Sequence, residues 1–183
     1  MMSNEAAING DHRPSAGAPP AAARVTLRRV ELFIVGIVLV LDQATKVAVR
    51  SWLALHESVT VLPGLLDLTH VRNTGAAFGI FNATEFPFKS IVMLIVAGVA
   101  LLAIAVYATR LPAEERLARG GLALILGGAI GNLIDRATVG YVVDFVDVYW
   151  RQYHFWAFNV ADAAITIGAI VLLADLIWPR HRV

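Results

Sequence analysis

The amino-acid sequence predicts an all-α integral membrane protein with four transmembrane helices, a small β-rich extracytoplasmic surface segment and an aromatic loop on the same side. The 183 residues are 58% hydrophobic and their mean hydropathy is +0.68. Soluble domains are typically about 45–50% apolar, so this composition indicates a membrane protein. Four apolar runs, each near the roughly 20 residues that cross a bilayer, support the same fold class. Cationic residues at one set of run ends give the orientation.

The four predicted spans divide the chain into a short tail and one membrane domain. The spans cover about residues 30–52, 86–109, 117–136 and 155–178. Residues 1–23 are rich in Ala, Pro, Ser and Gly and show no apolar periodicity, so we predict a disordered cytoplasmic tail. They lack the layout of a cleaved signal peptide. Residues 24–183 are predicted to form the four-span domain.

Cations cluster at three places along the chain: before the first span, between the second and third spans, and after the fourth span. The arginines concerned are Arg24, Arg28, Arg29, Arg110, Arg116, Arg119, Arg180 and Arg182. The positive-inside rule places all three clusters, and both termini, in the cytoplasm. Residues 56–82 and 141–154 then lie together on the opposite face.

These two extracytoplasmic stretches differ in character. Residues 56–82 contain β-branched residues and a Pro63-Gly64 turn, which predicts short strands on the membrane surface. Residues 141–154 contain Tyr149, Trp150 and Tyr153 and are predicted to form an aromatic loop at the interface. We expect the two stretches to form opposite sides of a clamp, with the loop as its moving side.

Polar residues accumulate where the spans approach this outer face. They are Asp42, Lys46, Asn132, Asp135, Arg136, Asp144, Asn159 and Asp162. A charged group in the middle of a membrane helix costs at least about 2.5–3.5 kcal/mol, so residues of this kind indicate a functional site. Separate parts of the sequence converge here at one depth, which is a stronger signal than any single motif.

Asp144 and Asp162 are the primary candidates for chemistry. Two neighbouring carboxylates share one proton, so one acid can activate a water while the other polarises a carbonyl. This is sufficient for peptide hydrolysis without a cofactor. Two alternatives remain open: either acid could cap a helix or face loop water, or Asp135 could be the active acid with Arg136 as its partner. A scaffold role for Asp135 and Arg136 fits their common helical face with Asn132 better.

The remaining polar residues suggest supporting roles. Asp42 and Lys46 stand at i, i+4 with the acid first, which favours an ion pair, and a proton relay is the alternative. Asn73 and Asn159 can each donate and accept, so either could orient a substrate backbone, while Asn159 could also be a helix N-cap.

Three glycines have predicted structural roles. Gly75 permits unusual backbone angles. The Gly127-x-x-x-Gly131 spacing allows close helix approach, either in a homodimer or within one chain.

Composition also excludes several classes of site. The chain has no cysteine, which rules out disulfides and thiolate chemistry. None of the five His is spaced i, i+4 from another, so we expect no metal and no cofactor. A net charge of +1 gives no reason to expect a nucleic-acid partner.

Four sequence boxes together resemble the lipoprotein signal peptidase family, also called signal peptidase II. The boxes are Asp42-Gln-Ala-Thr-Lys46, Asn73-Thr-Gly-Ala-Ala-Phe78, Gly127-Gly-Ala-Ile-Gly-Asn-Leu-Ile-Asp-Arg136 with Val142-Val-Asp-Phe145, and Phe158-Asn-Val-Ala-Asp162. The resemblance covers about residues 30–178, and no box departs from the family pattern.

The resemblance implies an aspartic endopeptidase of the bacterial inner membrane with its site toward the periplasmic face. Asp144 and Asp162 would be the catalytic dyad. Asn73, Asn132, Arg136 and Asn159 would position the substrate or the dyad, with Asp42, Lys46, Asp135 and Gly75 in support. The implied substrate is a prolipoprotein carrying diacylglycerol on its lipobox cysteine, cut just before that cysteine. Globomycin-type cyclic peptides would inhibit the enzyme, which we expect to be a monomer.

Two other functions are compatible with buried carboxylates in a membrane protein. One is a small transporter or proton channel, although the polar residues cluster at one face and do not thread the bilayer. The other is a non-enzymatic assembly protein held by the glycine seam. Shortening of a lipid-modified precursor by the purified protein would discriminate a peptidase from both.

Overall fold

The computed structural model describes residues 29–75, 88–112 and 114–178. Within these ranges it contains four helices that are long and apolar enough to cross a membrane. They are α1 (Arg29–Trp52), α2 (Lys89–Arg110), α3 (Arg116–Thr138) and α4 (Val160–Ile177). The predicted tail, the end of the second sequence box after Gly75, the start of the second predicted span and the C-terminal arginines lie outside the described residues.

A four-stranded antiparallel sheet accompanies the helices. Its strands, in spatial order, are β1 (Ser58–Leu62), β2 (Leu66–Asn73), β3 (Val142–Trp150) and β4 (Tyr153–His154). The predicted fold class is therefore confirmed, with a larger sheet than we expected. The stretch predicted as an aromatic loop supplies β3 and β4, because its Val-Val-Asp-Phe-Val-Asp-Val sequence is rich in residues that favour strands.

The prediction of a two-sided clamp is wrong for the described residues. β2 and β3 are hydrogen-bonded neighbours in one sheet, with Asp67 opposite Asp147 and Arg72 opposite Val143. A bulge between Leu68 and Val71 interrupts the register. A strand held by a ladder of backbone hydrogen bonds cannot swing away from its neighbour as a separate wall.

The fourth helix begins later than the predicted span. α4 starts at Val160 because the side chain of Asn159 accepts a hydrogen bond from the backbone N–H of Asp162 at 3.0 Å, which caps the helix. Before the cap, Phe158 pairs with Val146 in the sheet. The aromatic residues that precede Asn159 therefore belong to the same layer as the sheet and not to α4.

Helix α3 is the centre of the bundle and packs through its glycines. A Cβ atom on Gly127 would lie 2.9 Å from Val38 Cβ of α1, and one on Gly121 would lie 2.9 Å from the carbonyl oxygen of Gly168 in α4. A Cβ on Gly131 would lie 2.6 Å from Asp42 Oδ2. Of the two roles that the sequence left open for these glycines, the structure assigns them to packing within one chain.

A buried ion pair closes the opposite end of the bundle. Arg119, in the first turn of α3, pairs with Glu31 near the start of α1. Arg119 also donates to the carbonyl oxygen of Leu111 at 3.0 Å, directly after α2. One guanidinium thus joins three helices at the end remote from Asp144 and Asp162.

Candidate active site

The sheet and the fourth helix each contribute one acid to the site. Asp144 is the third residue of β3, and Asp162 lies in the first turn of α4. The chain between them turns through β4 and returns to the sheet at Phe158, which brings α4 up beside β3. Two acids separated by 18 positions in sequence thereby meet at the junction of the sheet and the bundle.

Asp144 is 2% exposed and both of its carboxylate oxygens accept hydrogen bonds. Asn73 Nδ2 donates to Oδ2 at 3.0 Å, and Asn159 Nδ2 donates to Oδ1 at 2.7 Å. Both donors are side-chain amides, which supply no net charge. Within the described residues, the carboxylate is therefore oriented by two amides and is not neutralised by a direct ion pair.

Burial and charge set the protonation of this acid. Burial raises the pKa of Asp144 to about 7, and repulsion from Asp162 adds to the effect. The hydrogen bonds from Asn73 and Asn159 and the charge of Lys46 oppose the rise in this pKa. An acid with a pKa near neutrality can both hold and release a proton at physiological pH.

Asp162 is joined to Asp144 through two asparagines. Asn132 Nδ2 donates to Asp162 Oδ1 at 2.8 Å. Asn159 accepts from the Asp162 N–H while its Nδ2 contacts both Asp144 and Asn132 Oδ1, the latter at 3.3 Å. Asn159 is therefore a helix N-cap, one of the two roles that the sequence left open, and it also contacts both acids; its role toward a substrate backbone stays a prediction.

A buried charge cluster lies behind the two acids. Lys46 Nζ lies 2.9 Å from Asp42 Oδ2 and 2.9 Å from Asp135 Oδ2. Asp42 Oδ1 accepts from the backbone N–H of Ala161 at 3.0 Å, and Asp135 Oδ2 accepts from that of Val143 at 3.4 Å. Each of these backbone groups directly precedes one acid of the pair, so the cluster anchors both acids through the main chain.

The geometry separates Asp135 and Arg136 from the acid pair. Asp135 is 1% exposed and points toward Lys46. Arg136 donates to the carbonyl oxygens of Gly75 at 2.9 Å and Asn132 at 3.3 Å, which ties the end of the β2 segment to α3. Both arrangements favour the scaffold interpretation of these residues over an active-acid role for Asp135.

Two further contacts were not predicted from the sequence. Gln43 Nε2 donates to Asp42, to Asp135 and to the carbonyl oxygen of Gly131, and its signal was its place inside the first sequence box. Lys89 Nζ donates to Thr74 Oγ1 at 3.0 Å, beside Asn73. Lys89 is a buried cation at the start of the largely apolar helix α2, and this position was its signal in the sequence.

The fold and the site together define a multi-span membrane protein with one buried and one half-buried aspartate, both held by amides at one end of its helices. Among the described residues, no group of three or more His, Asp or Glu side chains is arranged to hold a metal ion. Two carboxylic acids this close to each other can exchange protons with a bound reactant.

Comparison with known proteins identifies the family. The family model described as signal peptidase II matches residues 34–178. A lipoprotein signal peptidase of Geobacter metallireducens is 44% identical over 84% of this chain and 94% of its own length. That of Geobacter sulfurreducens is 46% identical over 79% of this chain and 89% of its own length. The chain therefore belongs to the signal peptidase II family, and it is a membrane protease that removes signal peptides from prolipoproteins.

Solved structures agree with this assignment. A bacterial membrane enzyme solved by the in meso method at 1.9 Å resolution superposes with a TM-score of 0.70 at 30% identity, covering 82% of this chain and 94% of the other. A second, solved by the same method at 2.3 Å, gives a TM-score of 0.72 at 31% identity, covering 84% and 93%. Membership of a peptidase family favours the enzyme over the transporter and assembly-protein alternatives.

Proposed function

We propose that Asp144 and Asp162 are the catalytic dyad of this peptidase and that they share one proton. The observation that carries the proposal is their arrangement: a buried and a half-buried acid are joined through Asn132 and Asn159, and within the described part of the chain no cation is bonded directly to either carboxylate. Two acids in such an environment cannot both ionise cheaply, so one keeps a proton at neutral pH.

The dyad accounts for hydrolysis by balanced proton transfers. The ionised acid takes a proton from a water molecule as its oxygen attacks the scissile carbonyl carbon, and the protonated acid donates to the carbonyl oxygen. The tetrahedral intermediate then collapses: one of its hydroxyl groups returns a proton to the acid that donated to the carbonyl oxygen, the C–N bond breaks, and the leaving amine takes the proton that the other acid received from water. Each acid thereby ends the cycle in its starting protonation state.

The substrate is a prolipoprotein whose lipobox cysteine carries diacylglycerol, and cleavage occurs just before this cysteine. An extended peptide would pass on the sheet side of the acids. This side is bordered by Asn73, Arg136 and the segment ending at Gly75. The exposed apolar helix surfaces give the lipid chains access from the side. Globomycin-type cyclic peptides would compete for the same position.

The proposed orientation places both termini in the cytoplasm and the dyad toward the periplasmic face of the inner membrane. The distribution of arginines supports this orientation. The enzyme acts as a monomer, which is supported by the use of the α3 glycines for packing within one chain.

The test is the turnover rate of four variants on a diacylglyceryl-modified precursor in liposomes. Asp144→Asn and Asp162→Asn should each lose nearly all turnover, and the double variant should lose little more, because the two acids act as a unit. Substrate affinity should change much less, since the lipid and backbone contacts come from other residues.

Asp147→Asn is the matched control on the same strand. Asp147 lies three residues after Asp144 and accepts from His154 Nδ1 at 2.8 Å, away from the dyad. This variant should retain turnover. Normal turnover in either dyad variant, or an inactive Asp147→Asn alone, would show that different carboxylates carry the reaction.

A further inference from the structure

Three asparagines present their N–H groups to the dyad, and each has its oxygen held by a separate donor. Gly75 N–H donates to Asn73 Oδ1 at 3.0 Å, and Asp162 N–H donates to Asn159 Oδ1 at 3.0 Å. These two donors belong to the main chain. For Asn132, the oxygen is held by side chains: Lys46 Nζ donates to its Oδ1 at 2.9 Å, and Asn159 Nδ2 donates more weakly to the same atom at 3.3 Å.

Lys46 is fully enclosed and fully used as a donor. It is 0% exposed, and its three N–H groups match three acceptors at 2.9 Å: Asp42, Asp135 and Asn132. An ammonium has three donors and no acceptor, so it can face only the oxygen of the Asn132 amide. A turned amide would set its NH₂ against the ammonium and its oxygen against Asp162, which is unfavourable at both ends.

We propose that Lys46 is a positioning residue that fixes the Asn132 amide so that its nitrogen donates to Asp162. This proposal rests on the proposed function, because it assigns a role relative to the dyad. Within the described residues, the Asn132 oxygen accepts from side chains where the other two asparagines accept from the main chain, and Lys46 is the nearer of its two donors and the charged one. Lys46 therefore acts on one catalytic acid through an intervening amide, in addition to anchoring Asp42 and Asp135.

Several charged groups surround Asp162, so a test must separate the effect of charge from the effect of amide orientation. Asp42 and Lys46 face it from α1, Asp135 and Arg136 from α3, and Asp144 from β3. Removing Lys46 therefore changes both the amide orientation and the local charge. Both changes make the dyad hold its shared proton to higher pH, so a single variant cannot distinguish them.

A double-mutant cycle of Lys46→Met and Asn132→Ala separates the two effects. The first readout is the pH dependence of kcat. The second, which needs no activity, is an infrared titration of the protonated carboxyl band that the dyad contributes, identified by its loss in the Asp144/Asp162 double Asn variant. Arg50→Met, which removes a cation from the same helix one turn after Lys46, is the matched control and should leave both readouts unchanged.

In the wild-type background, Lys46→Met should raise the pH of proton loss by about one to two units, the size expected for losing a hydrogen bond to a charged group. In the Asn132→Ala background, less than about a third of this shift should remain. An equal shift in both backgrounds would show that Lys46 acts by charge alone, and no shift in the wild-type background would also overturn the proposal.

A second variant keeps the test possible if Lys46→Met alone does not fold. If Lys46→Met does not fold, the cycle is run with Lys46→Met combined with Asp42→Asn, which removes one cation and one anion and leaves the buried net charge unchanged. The same shifts are expected. The proposed function fails separately: it is lost if Asp162→Asn retains turnover, whatever the cycle gives.

Discussion

Replacing Asp144 by asparagine should make the protein more stable as well as inactive, and the gain should grow with pH. The ordinary pKa of this side chain is 3.8, whereas burial and Asp162 raise it to about 7 in the folded protein. Between these values the unfolded chain binds fewer protons than the folded one. The contribution of Asp144 to the free energy of unfolding therefore falls as pH rises from about 4 to about 7 and is constant above pH 7. An asparagine does not titrate, so its contribution does not change with pH.

The size of the pH-dependent part follows from the pKa. Between pH 5 and pH 7 the wild type loses two pH units of differential proton binding at about 1.36 kcal/mol each, which is about 3 kcal/mol. The amide also leaves one of the two donors to Asp144 without an acceptor, which costs about 1–3 kcal/mol at every pH. This cost is the same at both pH values, so it does not contribute to the change in the stability difference between them.

The assay is equilibrium unfolding in mixed detergent micelles at pH 5 and pH 8, followed by circular dichroism. The stability difference, Asp144→Asn minus wild type, should increase by about 3 kcal/mol from the lower to the higher pH. Asp147→Asn is the control, because its partner His154 is 54% exposed and such a pair contributes at most about 1 kcal/mol.

A difference that is constant between pH 5 and pH 8 would refute this reasoning, since it would mean that Asp144 is not held protonated by burial. A difference that decreases would show that the folded state favours the ionised form.

Three further outcomes can be measured. Asn73→Ala removes a hydrogen bond that lowers the pKa of Asp144, so the alkaline limb of the pH–rate profile should move up by about one unit, and an unmoved or lowered limb would contradict the assignment. Gly128→Val places a side chain against the carbonyl oxygen of Ala161 and should reduce both thermal stability and activity. A Cβ on Gly120 meets nothing within 4 Å, so Gly120→Val should leave both nearly unchanged. Equal loss in the two variants would refute the packing argument. Of reporters fused after Val183, one that works in the cytoplasm should be active and one that works only in the periplasm should be inactive. Activity of the periplasmic reporter would reverse the proposed topology.

The sequence predicted the helices and the acid pair because both rest on strong local signals. A run of about 20 apolar residues allows few structures, and an acid beside such a run is conspicuous. The Asp42–Lys46 pair was predictable from its i, i+4 spacing and is present at 2.9 Å. In each of these examples the evidence lies within one element or directly at its end.

Other features depend on contacts between distant segments. The pairing of β3 with β2 joins residues about 75 positions apart, and its aromatic residues also suit a membrane interface, so the strand was interpreted as a loop. Which way each asparagine amide points depends on donors such as Gly75 and Lys46, which no sequence pattern identifies. The Glu31–Arg119 pair joins two helices across 88 positions of sequence, so no local pattern indicates it.

The origin of the two acids in different kinds of structure has a consequence for biosynthesis. Asp144 and Asp162 come from a strand and a helix near the end of the chain, whereas Asp42, Lys46, Asn73, Asn132, Asp135 and Arg136 are all synthesised earlier. A nascent chain that has completed α3 holds much of the supporting network and neither acid. With Asp144 and Asp162 as the proposed dyad, the peptidase is expected to be inert toward its neighbours in the membrane until β3 has joined β2 and α4 has inserted, and any product truncated before Asp162 is expected to be inactive.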